Sequence, residues 1–179
     1  MKYVALLRGI NVGGNSLIKM SELKSIFEEF GLKNVITYIN SGNVIFETAE
    51  KDQKNIGEQL EKLIATTCNV HSKTLIKSED EIRKVLQEIP KEWETKQDLR
   101  CYIGFLFDSI SVQDAEKEVE LREEVDYLKT GSKVLYMTTV MSQKTKSKFN
   151  KLAGKKLYKE MTIRNFNTTK KILEIMEQK

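Results

Sequence analysis

Hydrophobic positions follow two alternating rhythms along the chain. Residues 2–8 form a short apolar run closed by Gly9, the content of a strand. Met20, Leu23, Ile26, Phe27 and Phe30 then recur with helical period, and Gly31 stands where a helix ends. Runs at 35–39 and 44–46 read as strands joined by Asn40-Ser41-Gly42-Asn43, a hairpin signal. Ile56, Leu60, Leu63, Ile64 and Cys68 mark a second helix, and a strand is expected over 72–76. Ser78 and Glu81 have the spacing of a capping box, opening a helix with Ile82, Val85, Leu86 and Ile89 inward. Pro90 closes this stretch.

The same order then recurs. Residues 99–107 form the most apolar strand, and 112–124 read as a charged helix of weak periodicity. Strands at 127–129 and 134–139 flank Thr130-Gly131-Ser132. Phe149, Leu152 and Ala153 fall on a basic helix ended by Gly154. A strand follows at 161–163, and Asn167 is placed to cap a last helix carrying Ile172, Leu173 and Met176. Matching features such as Gly42 and Gly131, or Ser78 and Asn167, lie about ninety residues apart, a period suited to a duplicated domain. The expected fold is therefore α+β: duplicated ferredoxin-like β-α-β-β-α-β units with antiparallel sheets, each with a trailing helix, over 1–90 and 91–179.

Composition narrows the class further. Apolar residues at 40% and charged residues at 31% are ordinary for a globular chain, and a single proline with nine glycines argues against long linkers. The apolar run at the start stops at Arg8, short of a signal peptide, and no stretch reaches membrane-spanning length. A cytoplasmic protein is expected. Cys68 and Cys101 lie far apart and read as buried thiols. The single histidine, His71, lacks ligand partners at metal spacing, so no metal site is expected. The net charge is only +4, with acids gathered at 114–126 and bases at 144–171. The basic stretch is compatible with a polyanion, but a solvated helix explains it more simply.

Topology supplies a candidate site. A right-handed crossover makes the first two strands of a split β-α-β unit parallel, and the third returns antiparallel beside the first. The loop after the first strand and the following hairpin then share one end of the sheet. Arg8, Asn11, Gly13, Gly14 and Asn15 should approach Tyr38, Asn40, Ser41, Gly42 and Asn43. Glycines leave backbone N–H groups approachable, asparagine amides donate and accept, and the Arg8 fork suits phosphate or carboxylate. Turn formation alone also explains Gly42 and Asn43. Arg164, Asn165 and Asn167 form a second cluster, at the start of the last helix, where free N–H groups attract an anion.

Other chemistry is less well supported. Residues 9–16 follow a strand with the spacing of a phosphate-binding P-loop, but Asn15 stands where its lysine must be. The glycines also miss the dinucleotide-binding spacing, so no cofactor is expected. No nucleophile-base pair appears. Glu28, Glu29 and Glu47 read as solvated carboxylates, and Trp93 as a packing anchor in a polar connector.

The blocks Ala5-Leu6-Leu7-Arg8-Gly9-Ile10-Asn11-Val12-Gly13-Gly14-Asn15, Lys19-Met20, Thr37-Tyr38-Ile39-Asn40-Ser41-Gly42-Asn43-Val44 and Thr162-Ile163-Arg164-Asn165-Phe166-Asn167-Thr168 resemble the DUF1697 family, over essentially the whole chain. That resemblance implies a duplicated α+β fold and carries no catalytic residues. Family members often have Gln at the place of Asn40 and Trp at that of Phe166. Three functions follow from the residues: a binding module for a small anion, nucleotide or nucleic-acid phosphate; an enzyme acting on a small polar metabolite; and a protein-interaction module.

Overall fold

The computed structural model describes residues 1–11 and 17–178. It is an α+β chain in two compact units, Met1–Ile82 with the stretch from Lys171 onward, and Arg83–Lys170. The first unit holds β1 (Lys2–Arg8), α1 (Met20–Glu29), β2 (Lys33–Tyr38), β3 (Asn43–Glu47), α2 (Gln53–Cys68) and β4 (Lys73–Ser78). Its strands form one antiparallel sheet in the order β2-β3-β1-β4. Within the second unit lie α4 (Lys91–Thr95), β5 (Leu99–Leu106), α5 (Val112–Glu118), β6 (Asp126–Gly131), β7 (Val134–Val140), α6 (Lys156–Lys159) and β8 (Met161–Asn165), with sheet order β6-β7-β5-β8. Helices α3 (Glu79–Gln87) and α7 (Phe166–Glu177) each begin in one unit and end in the other. Among the described residues no helix is long and apolar enough to cross a membrane.

The central strand of the first sheet owes its place to burial on two faces. In β1 the residues from Tyr3 to Leu7 are all buried, which a strand achieves only with partners on both edges and cover on both sides. Tyr3, Ala5 and Leu7 share a core with Phe46, with Leu23 and Phe27 of α1, and with Ile56, Leu60 and Ile64 of α2. Phe46 stacks on Tyr3 at 5.9 Å and meets Phe27 edge-on at 5.8 Å. Helix α1 ends as its glycine requires: Gly31 has φ +93°, and Leu32 N–H bonds the Phe27 carbonyl at 3.2 Å. On the far side of the chain, α7 completes the first unit, with Ile172 and Met176 fully buried. Lys2 Nζ donates to the carbonyls of Met176 at 2.7 Å and Gln178 at 2.6 Å. In the second unit the end of α3 is held by Tyr136, whose hydroxyl donates to the Val85 carbonyl at 2.9 Å and to Glu88 at 3.0 Å.

Five expectations need correction. The charged helix stops at Glu118, where Val119 turns extended and Lys155 Nζ donates to the Glu118 carbonyl at 2.8 Å, and the chain then turns through Glu124 at φ +62°. The basic helix near Phe149 is replaced by two 3-10 segments, Met141–Lys146 and Lys148–Gly154, broken at extended Ser147. The last helix is capped by Asn165, whose Oδ1 accepts from Asn167 N–H at 2.9 Å, so Asn167 lies inside the helix. Cys68 is only half-buried at the end of α2, and burial with the nearby Glu22 carboxylate pushes its thiol up. Trp93, assigned to a connector, lies on the short helix α4.

The capping box at α3 forms as read. Glu81 N–H donates to Ser78 Oγ at 3.3 Å, and Ser78 N–H returns to Glu81 Oε2 at 2.8 Å. Burial pushes the Glu81 carboxyl up, but Lys77, Ser78 N–H and the Gln53 amide outweigh it and hold the group below its ordinary value. A carboxyl held below its unfolded value stabilises the fold above that value, and this is lost as pH falls through the folded one. Between about pH 5 and pH 3 the wild type should therefore lose stability faster than Glu81→Gln. Urea unfolding midpoints across that range check this; parallel curves would show that the cap carries no proton linkage.

Candidate functional site

The expected meeting of loop and hairpin is present at one end of the first sheet. Leu6 is in register with Asn43, and Leu7 N–H donates to the Gly42 carbonyl at 2.8 Å. Asn11 draws the loop onto the hairpin. Its Nδ2 donates to the carbonyls of Ile18 and Asn40, both at 3.0 Å, while its Oδ1 accepts from Ile18 N–H at 2.9 Å. One side chain thus closes the loop upon itself and fastens it across to the turn.

The rim is built from unusual backbone. Gly9, Asn11, Ile39 and Gly42 all have positive φ, between +49° and +83°. Gly42 has no substitute, because a Cβ would lie 2.7 Å from Ile10 Cδ1 and 2.8 Å from Leu7 Cβ. Asparagine tolerates this region, but Ile39 is β-branched and 47% exposed, so its conformation costs about 1–2 kcal/mol with no burial in return.

The expected residues divide by what they touch. Asn43 is fully buried, and its Nδ2 donates to the Tyr38 carbonyl and Ser41 Oγ, both at 3.0 Å, holding the turn from inside. Asn40 and Ser41 are exposed, while Tyr38 and Arg8 are half-buried. Arg8 pairs in register with Lys73 of β4, so two cationic positions stand side by side at this end. Gly13, Gly14 and Asn15 lie outside the described residues.

The second cluster belongs to the second unit, and its arginine is buried. Arg164 is 6% exposed, and its Nη1 donates to Thr162 Oγ1 and the Ile163 carbonyl, both at 2.9 Å. Burial brings its pKa down to about 10, which leaves it charged at neutral pH. Asn165 serves as the helix cap described above, and Asn167 is exposed beside it.

A buried carboxylate escaped sequence reasoning. Asp126, 5% exposed, accepts from Ser147 Oγ at 2.5 Å, Lys148 N–H at 2.8 Å, Arg122 N–H at 3.0 Å and Thr139 Oγ1 at 3.3 Å. It ends an acidic run and so reads as one more solvated charge. Its partners lie up to 22 residues away, with no period to betray them.

Residues 1–136 match the model of a protein family of unknown function, DUF1697. The chain belongs to that family. It is also similar to a solved structure of a conserved bacterial protein from Streptococcus pneumoniae, 26% identical, with a TM-score of 0.85 and 98% of each chain covered. No curated protein matches it.

Gly42→Ala should lower stability by about 1–3 kcal/mol, since it joins a clash to a left-handed backbone. Thermal unfolding measures this, and an unchanged midpoint would mean that the turn relaxes freely. Asn11→Gly keeps the backbone freedom but deletes the tie. Amide exchange at Ile18 and across the Asn40 turn should then accelerate while the β1–β4 ladder stays protected.

Proposed function

We propose that the chain is a binding module for a small anionic ligand carrying a phosphate or carboxylate, seated at the rim of the first unit. The observation that carries this reading is the Asn11 tie, which fastens loop to hairpin beside Arg8. In this reading Asn11 and Asn43 position the backbone, and Arg8, Tyr38, Asn40 and Ser41 meet the ligand. The exposed, left-handed Ile39 supports it, because strained backbone persists where something other than packing demands it. Arg8 and Lys73 supply the charge that an anion needs. We also infer that each unit is a ferredoxin-like module and that the chain is a duplication, since the two sheets share one strand order.

Thermal-shift and calorimetric titrations with inorganic phosphate, a nucleoside monophosphate and a short RNA test the reading. Saturating ligand at about a hundred times its Kd should stabilise the fold by roughly 2.7 kcal/mol, and Arg8→Gln should abolish the gain. An RNA preference with a steep salt dependence would make a nucleic-acid backbone the ligand. Absence of any shift at millimolar ligand, or a shift that survives Arg8→Gln, defeats the proposal.

A further inference from the structure

The two units treat one face of their sheets differently. In the first, the second crossover is the sixteen-residue helix α2, which lies flat on the sheet. Its own Ile56, Leu60 and Ile64 are fully buried, and a Cβ on its Gly57 would stand 2.8 Å from the Thr74 carbonyl oxygen. In the second, the corresponding stretch is the two 3-10 segments and the four-residue helix α6, which bury only Leu152 and Leu157. A 3-10 turn stacks every third residue and cannot present the broad apolar stripe of an α-helix. The sheet beneath is left partly uncovered.

The result is a cleft of ≈ 540 Å³, within the range of small-molecule sites. Its floor is apolar and aromatic: Tyr102, Met137 and Ile163 from the sheet, with Phe149 and Leu152 from the roof. The roof is anchored, since Ser147 joins the 3-10 segments and is held by the buried Asp126. Arg100 and Lys144, both exposed, bring positive charge to the lining, and no described acidic residue lines it.

We propose that this cleft binds a small amphipathic anion. Its ring or chain lies on Tyr102, Met137 and Ile163, and its anionic group is drawn to Arg100 and Lys144. Two features select this class. An apolar floor rejects fully hydrated ions, and two cations in a lining that holds no acidic residue among those described favour a negative group over a neutral or positive one. The inference is independent of the loop rim, which lies in the other unit and offers polar groups without such a floor.

Fluorescence titration of the full chain with 8-anilinonaphthalene-1-sulfonate, beside its neutral counterpart N-phenyl-1-naphthylamine, tests it. The anionic probe should bind saturably at one site, and the double variant Arg100→Gln/Lys144→Gln should weaken it about tenfold while leaving the neutral probe unchanged. Ala153→Trp, at an exposed lining position, should block both probes. Amide chemical-shift mapping on the wild type gives a readout independent of the variants, with perturbations centred on 100–102, 137–153 and 163. Non-saturable binding, equal affinity of the double variant for the anionic probe, or perturbations centred elsewhere would overturn the proposal.

Discussion

The first sheet is organised around a strand that must be hidden on every side. With five consecutive buried residues, β1 needs a neighbour on either edge, and β3 and β4 supply them. Placing β3 beside β1 obliges β2 to lie beyond it, parallel to β1 and reached by a crossover through α1. The loop leaving β1 and the hairpin leaving β2 then emerge together. Their meeting is thus a consequence of core burial, and positive φ at Gly9, Asn11, Ile39 and Gly42 shapes the backbone at that corner.

A common strand order leaves room for divergence above the sheet. A continuous amphipathic helix seals one unit, whereas the other has a broken, lysine-rich roof. That difference follows from a few residues. Ser147 adopts extended backbone between two helical segments, and Asp126 rewards that break by accepting four hydrogen bonds around it. The broken roof leaves a concave surface.

Much of this was legible in the sequence. Strong periodicity located α1, α2 and the central strands, and chemically specific punctuation located the caps: Gly31 ends α1, and Ser78 with Glu81 opens α3. The juxtaposition of Asn11 with the Asn40 turn followed from element order alone. What stayed hidden depends on partners distant in sequence. Asp126 resembles its solvated neighbours until Ser147 and Lys148 fold over it, and Asn165 rather than Asn167 caps α7 because a one-residue shift of a helix start leaves no periodic trace. The burial of Arg164 is equally silent, since an arginine at a strand end ordinarily reaches water.

The return of α7 to the first unit bears on how the molecule is made. Lys2 is made first, and its acceptor at Met176 is translated 174 residues later. At about 5–20 residues per second, the opening strand waits roughly ten seconds or more for the helix that completes its unit. During that interval its buried apolar positions depend on α1 and α2 for shelter, an exposure that closes only once α7 has been made.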